Sequence, residues 1–546
     1  MSIPNFFLRT VVALFLFIPM QKSSIFAQDT IPDWENPQVF SRNQLPAHVP
    51  LIPFKTVDEA LQTKETHSPF YRSLNGNWLF HRAEIPEEAP KHFYQNDFQS
   101  GNWDQIAVPG NWQMHGYGEP FYVHRDNHES FHDYPVPEVP DHFNPTGSYL
   151  RTFRLPDTWS GRPVYLHFEG VKSAFYVWIN GQKVGYNQGS MTSAEFDITP
   201  YIQPGANRIA VRVYRFSDGT YLEDQDMRRV SGIYRDIYLY TPAVSHIRDL
   251  WIHTDLDAAY RDANLVISAE IKNMLNESQQ YHIKAHLYNR EKQEVLSSLL
   301  DEEALNVKAG STGRITMNRK LKNPRKWSAE DPYLYTLVLE LIESSGQVAE
   351  VVKENVGFRE IEVKGGAIFV NGAQVKLNGM NRHVWHPVLG RAISTSIMEK
   401  DLRLMKQFNI NLVRTAHYPP DPEFLDLADR YGMYVVDEAN QEASPNDLSE
   451  KPEWKAAYVD RGVKMVERDK NHPCIIFWSA GNEGGMGENV EAIIREGKKL
   501  DPSGRIWMYG ENMHKYVDKD VTAYEEDADY EEVVGSMNPL AEDFRV

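Results

Sequence analysis

The sequence predicts a multidomain chain in which two antiparallel β-sandwiches precede a domain of alternating strands and helices. Three observations carry that reading. At 546 residues the chain can hold three or four domains of ~150 residues each. Apolar residues recur with a period of two over roughly 72–355, as in half-buried strands. Beyond Gly357 the pattern becomes strand, helix, strand, helix, which implies parallel strands joined by crossover helices.

Composition narrows the function. With 41% hydrophobic and 24% charged residues the chain suits packed domains and excludes a disordered or collagen-like protein. A formal charge of −19 repels phosphate backbones and anionic lipids, which argues against a nucleic-acid partner. Cys474 is the single cysteine, so an intrachain disulfide and a thiolate-rich zinc site are both excluded.

Residues 1–27 have the order of a secretory signal peptide: Arg9, an apolar run from Val11 to Met20 broken by Pro19, then small residues from Ser23 to Ala27. The run is about half the ~20 apolar residues that a spanning helix needs. Export to the periplasm or medium is expected, with no membrane contact after cleavage.

The first sandwich is expected over 28–242. Phe175 to Ile179, the Asn180-Gly181 pair and Lys183 to Tyr186 read as a hairpin, because Asn-Gly accepts the positive φ angles of a type I′ turn. Ile209, Val211 and Val213 alternate with Ala210, Arg212 and Tyr214, predicting one buried face. Trp112 and Tyr117 are read as core. The second sandwich, 243–357, places Leu265, Ile267, Ala269 and Ile271 on one side, then Tyr281, Ile283, Ala285 and Leu287, and suits a small immunoglobulin-like spacer.

In 358–546, Ser396 with Glu399 predicts a capping box, followed by Met398, Leu402 and Met405 on one helical face. Asp421 predicts an N-cap, Pro422 the first helical position, Phe424, Leu427, Ala428 and Tyr431 a stripe, and Gly432 the end. Strands are expected at 375–377, 412–413, 433–436, 475–478, 506–509 and, less regularly, 533–537. A closed (β/α)8 barrel has eight strands and typically needs ~250 residues. This segment falls short, so either the domain is a smaller open sheet or the chain stops before its barrel closes.

In a parallel barrel the reactive groups stand just past the C-terminal strand ends. Those positions here hold Asn381, Arg382, His383 and His386; Arg414 and His417; Asp437, Glu438, Asn440 and Glu442; and Asn482 and Glu483. Carboxylates, imidazoles and amides converging in this way fit acid/base chemistry on a polyol, and no Gly-rich phosphate loop is present. Glu483 is expected near apolar walls, where its neutral form is favoured and it can donate a proton; a helix-start carboxylate is the plainer alternative. His383 and His386 read as a hydrogen-bonded structural pair in preference to metal ligands. Asp437 and Glu438 are expected to divide their roles, one facing inward and one anchoring an arginine. Glu442, and the loop holding Asp218, Glu223, Asp224 and Asp226, read by default as solvated.

Longer words then identify a family. Asp33-Trp34-Glu35-Asn36-Pro37, Ser73-Leu74-Asn75-Gly76, the stretch from Val108 to Tyr117 and the stretch from Ser217 to Met227 strongly resemble the large bacterial β-galactosidases of glycoside hydrolase family 2. So do Asn381-Arg382-His383, the stretch from Val413 to Pro419, and Asp437-Glu438-Ala439-Asn440. The resemblance implies a jelly-roll sugar-binding domain, an immunoglobulin-like domain and a catalytic TIM barrel that removes terminal β-D-galactosyl groups with retention. Matched by motif, Glu483 is similar to the general acid/base; Asn111, Asp218, His383, His417, Asn482 and Tyr509 resemble substrate-binding residues. Glu442 and Glu483 resemble magnesium ligands, and Asp218 a sodium ligand.

Two departures qualify what the resemblance implies. The family's magnesium word is Glu-x-His, whereas this chain has Glu442-Ala443-Ser444, which puts magnesium dependence in doubt. The family's nucleophile is a glutamate on the seventh strand, and no matching word follows Met537. The glutamates at 525, 526, 531 and 532 precede the sixth strand and do not substitute. Retaining hydrolysis needs two carboxyls ~5 to 5.5 Å apart. The expectation is an incomplete barrel of about six strands, inactive alone. The alternative is a non-catalytic galactoside-binding protein, and a homo-oligomer or a complementing chain are the partners considered.

Overall fold

The computed structural model describes residues 31–122, 131–299 and 304–510. The signal-peptide segment, the sixth expected strand and the glutamates at 525–532 lie outside the described residues.

In the first domain a seven-stranded antiparallel sheet packs on a four-stranded one. The expected hairpin forms: Ala174–Ile179 pairs with Gln182–Gln188, and Asn180 and Gly181 take φ of 50° and 84°. The expectation of one buried face on Ala206–Tyr214 is corrected. Ile209, Val211 and Val213 enter the core between the sheets, but Ala210 and Tyr214 are buried as well. Phe93, Trp103 and neighbouring aromatic residues from irregular segments cover that outer face. Strand periodicity cannot register a cover made of loops. Trp112 is fully buried and Tyr117 packs against Phe80, in agreement with a core role.

The second domain closes a single core between a three-stranded sheet and a larger antiparallel sheet. Leu265, Ile267, Ala269 and Ile271 meet Tyr281, Ile283, Ala285 and Leu287 there, as the alternation predicts.

The third domain builds a parallel sheet from β1 (Gly379–Asn381), β2 (Leu412–Arg414), β3 (Tyr434–Glu438), β4 (Ile475–Ser479) and β5 (Ile506–Met508), paired in that order. Among the described residues β1 and β5 are its two edges and no closed barrel forms. The first strand lies beyond the expected 375–377, because the apolar Val375 and Leu377 instead join the core that leads into it. Helices α1 (Thr395–Gln407), α2 (Pro422–Tyr431), α3 (Lys455–Asp469) and α4 (Glu488–Leu500) complete the domain.

Helix α1 buries Met398, Leu402 and Met405 as expected, but the capping box is corrected. Ser394 occupies the N-cap and shares a hydrogen bond with the Ser396 hydroxyl at 2.9 Å, while Glu399 takes Arg403 and Tyr431. Helix α2 starts as predicted, with Asp421 accepting the Glu423 N–H at 3.0 Å. It stops at Gly432, φ 71°, where only a residue without Cβ fits against the Ala329 carbonyl.

Candidate active site

The ends of four strands deliver one polar network. Glu438, fully buried at the end of β3, accepts Arg414 Nε at 2.7 Å and Nη2 at 3.0 Å, His417 Nδ1 at 2.7 Å and the Ser479 hydroxyl at 2.7 Å. Burial opposes its charge, but Arg414 and His417 outweigh it and hold the carboxyl at about 2. Arg414 Nη2 also reaches Asn482 Oδ1 at 2.9 Å, joining β2 to β4. The His383 and His417 rings meet edge to face at 5.2 Å. The surrounding protein, and then His417, pull the His383 imidazole down to about 4, so it is neutral near pH 7.

Of two expectations about these strand ends, the division of roles between Asp437 and Glu438 holds, and the histidine pair is corrected. Glu438 anchors the arginine itself, whereas Asp437 turns to Asp469; burial and that second carboxyl push Asp437 well above the usual range. His383 and His386 do not bond each other. His383 Nδ1 meets the Tyr418 hydroxyl at 3.3 Å, and His386 Nδ1 accepts the Val388 and Leu389 N–H groups, both at 3.2 Å, closing a local turn.

The first domain supplies the other side. Its acidic loop is not solvated: Asp218, Glu223 and Asp224 are all buried, and of the four carboxylates only Asp226 is exposed. Burial is achieved by pairing with the third domain. The Asp224 N–H donates to the Glu442 carbonyl at 3.0 Å, Glu442 N–H to the Leu222 carbonyl at 2.9 Å and Ser444 N–H to the Tyr221 carbonyl at 2.9 Å. Glu223 Oε1 accepts Asn440 Nδ2 at 3.0 Å and Arg461 Nη2 at 2.9 Å. The Gln225 amide reaches the His417 carbonyl at 3.4 Å. Asn111, also buried, accepts the Arg391 N–H at 2.8 Å. Glu442 shares this burial, which pushes its carboxyl up to about 7 against the pull of His417 and Asn482. Its expected solvation is likewise corrected.

Glu483 departs from expectation in its surroundings. It is exposed, not walled by apolar residues, and it takes a left-handed φ of 33°. That conformation costs a non-glycine residue of order 1–3 kcal/mol and clusters at functional positions. The turn is held from below: the Tyr509 hydroxyl accepts the Gly484 N–H at 2.9 Å and donates to the Gly485 carbonyl at 2.8 Å. Tyr509 is itself fully buried under the loop that presents Glu483.

Several buried oxygens at this junction have no protein partner: Asp218 Oδ1, Gln225 Oε1, Asn440 Oδ1 and Glu442 Oε2. Buried polar atoms are normally satisfied, so each of these oxygens is open to a polar contact from outside the chain. The unpartnered carboxylate oxygens of Asp218 and Glu442 are hard donors of the kind that suits sodium or magnesium. Burial raises Asp218 to about 7. Elsewhere, Asp429, His472 and Cys474 have the spacing of metal ligands. Their contacts already account for them: His472 Nδ1 bonds Asp429 Oδ2 at 2.7 Å, and the Cys474 N–H bonds Oδ1 at 2.8 Å.

Sequence reasoning placed Asn111, Asp218, His383, His417, Glu442, Asn482 and Glu483 near one mouth by motif. It missed Arg461 and Arg391, and read Glu223 only as one more charge of a turn. Tyr221, Leu222 and Met227 bracketing that turn were the available signal that it is buried.

Comparisons with known proteins agree with this architecture. Residues 71–243 match the sugar binding domain of glycosyl hydrolases family 2, 245–359 match a second domain of that family and 361–545 match its TIM barrel domain. The chain belongs to glycosyl hydrolase family 2, with a jelly-roll, an immunoglobulin-like and a TIM-barrel domain, and five strands of that barrel lie among the described residues. A beta-galactosidase of Priestia megaterium is 42% identical over 93% of this chain and 50% of its own length. One from Pseudoalteromonas haloplanktis is 42% identical over 88% of this chain and 46% of its own. The chain thus spans about half the length of the curated relatives it matches. A beta-glycosidase structure from Bacteroides vulgatus superposes with a TM-score of 0.66 at 25% identity, covering 82% of this chain and 55% of that one. A beta-glucuronidase from Bacteroides uniformis, 23% identical, shares the fold with a TM-score of 0.65 over 80% of this chain and 52% of its own.

Proposed function

We propose that the junction binds the galactosyl group of a β-galactoside, with Glu483 as the proton donor of a retaining hydrolysis. The reading is carried by the unpaired buried oxygens of Asp218, Gln225, Asn440 and Glu442, which the first and third domains contribute jointly. Sugar hydroxyls both donate and accept, so they satisfy such oxygens while neutral His383 and the Asn111 amide hold the ring's other faces. Exposed Glu483, fixed by the Tyr509 clasp, can reach a glycosidic oxygen above that ring.

Magnesium would be held by Glu442 and Glu483 and sodium by Asp218; a bound cation supplies positive charge that orients hydroxyls. Glu438 does not serve as the attacking carboxylate, since Arg414, His417 and Ser479 occupy it. No other described carboxylate matches the family's nucleophile word, so we propose that the 546-residue chain binds galactosides but hydrolyses them little or not at all without an added nucleophile. Export to the periplasm or medium belongs to the same proposal. Calorimetry with galactose and turnover of nitrophenyl β-galactoside test it together. Affinity without turnover is expected. Turnover lost in Glu483→Gln would overturn the inactivity, and absence of affinity would overturn the sugar site.

A further inference from the structure

The structure assigns a positioning role to Arg391: its buried guanidinium, stacked on Tyr418, orders the 382–392 loop, and the backbone of that loop holds Asn111 of the first domain in register with His383 of the third. The inference rests on the galactoside reading and adds a residue that does not touch the sugar.

Arg391 is 3% exposed, yet no carboxylate among the described residues pairs with it. Its guanidinium lies over the Tyr418 ring at 4.3 Å and near the Tyr234 ring at 5.2 Å. Nη1 and Nη2 point to the sulfurs of Met227 at 3.4 Å and Met191 at 3.1 Å, and Nε has no partner. A desolvated cation normally requires an anion. Here aromatic faces and thioethers are its immediate neighbours, and cation–π attraction supplies part of the compensation. So costly a placement needs a reason beyond packing, and the connections of Arg391 supply one.

Three contacts leave this box toward sugar-facing groups. The Arg391 backbone N–H donates to Asn111 Oδ1 at 2.8 Å. Gly390, φ 63°, presses on the same side chain, and a Cβ there would collide with Asn111 and Met114. The Tyr418 ring stacked on Arg391 uses its hydroxyl to accept the Val384 N–H at 3.0 Å and to meet His383 Nδ1 at 3.3 Å. The planar guanidinium therefore fixes the 382–392 loop against Tyr418, and the backbone of the loop so ordered meets Asn111 on the other side. Lysine cannot reproduce this, because an ammonium offers no plane to lie between rings.

The test uses the full chain. Arg391→Met refills the thioether and aromatic box and removes the unpaired cation, so its Tm should match or exceed the wild type. Its galactose Kd should nevertheless weaken about tenfold or more. Arg391→Ala should lose affinity equally and recover it with millimolar methylguanidinium but not with methylammonium. Hydrogen exchange gives a sugar-independent readout: peptides covering 107–116 and 382–392 should both lose protection in Arg391→Met. Wild-type affinity in both variants overturns the assignment. So does loosening of 382–392 with 107–116 unchanged. Should wild type bind no galactose, the functional reading fails, and the exchange result alone decides whether Arg391 couples the two segments.

Discussion

Replacing Glu223 by alanine tests whether the two domains are joined by a buried charge. Glu223 is 1% exposed and its Oε1 accepts three hydrogen bonds, from the Ser190 N–H at 3.1 Å, Asn440 at 3.0 Å and Arg461 at 2.9 Å. Arg461 is fully buried and also donates to the Ala457 carbonyl at 3.0 Å. Removing one partner of a buried pair costs about 3 to 5 kcal/mol, because the survivor stays charged in a poor solvent. Lys172, 3.8 Å from Glu223, adds little: burial already brings it to about 7, and it can release its proton. Arg461 cannot. Glu223→Ala should therefore destabilise the first urea transition by about 4 kcal/mol, whereas Glu223→Leu combined with Arg461→Met should recover to within about 1–2 kcal/mol of wild type. Galactose affinity should fall in both, since neither restores the bond to Asn440. A loss under about 1 kcal/mol in the single variant, or a double variant no better than Glu223→Ala, refutes the reasoning.

Three further outcomes follow from the same structure. His167, buried between Glu169 at 3.1 Å and Glu195 at 3.2 Å, is raised from 6.5 to about 9, because those carboxylates outweigh burial. Its contribution is complete below pH 6.5 and is lost as pH rises toward 9. The stability difference between wild type and His167→Gln should shrink across that window by about 3 kcal/mol in denaturant titrations; a constant difference would contradict the pairing. Cys474 is fully buried, and burial with nearby Asp429 pushes its thiol well up. Iodoacetamide should label it only after unfolding, read by mass spectrometry, and labelling of native protein at the rate of a free thiol would be incompatible with this placement. Gly432→Ala sets a Cβ against the Ala329 carbonyl at φ 71°, and should lower stability by more than about 1 kcal/mol in urea; an unchanged midpoint would mean that α2 does not end there.

Where local chemistry decides, the sequence was readable. Asn180-Gly181, Asp421-Pro422 and Gly432 each require a backbone state that few other residues allow, and each appears where expected. Strand alternation sufficed for the second domain, whose core is built mainly from its own two sheets, with Val49 and Leu51 added from the N-terminal segment. It failed for Ala206–Tyr214, because the residues covering the outer face come from Phe93 to Trp103, far away in the chain. The acidic loop failed for the same reason: Glu223 and Asp224 look solvated until the 440–444 segment is brought against them. Glu483 shows the converse. Its motif located it, but its exposure and left-handed φ depend on a tyrosine from the next strand.

The pattern behind these outcomes bears on how the site works. Parallel strand ends fix direction well, which is why Arg414, Glu438 and Asn482 form a network that hardly needs the other domains. The unpaired oxygens, by contrast, come from two domains, and under the proposed galactoside reading one sugar would meet Asp218 and Glu442 at once. Errors of about 1 Å in such an arrangement cost affinity and rate steeply. A chain that relied on loop packing alone would allow that much slack. Backbone bonds from 221–224 to 442–444, the Glu223–Arg461 pair and the Arg391 stack remove it by three different physical means. The first fixes spacing along the strand direction, the second draws the domains together, and the third sets the rotation of the 382–392 loop. On the proposed reading, recognition of a sugar would depend on domain alignment, and Arg391 and Glu223, which would not touch it, should control its affinity as strongly as the residues that would.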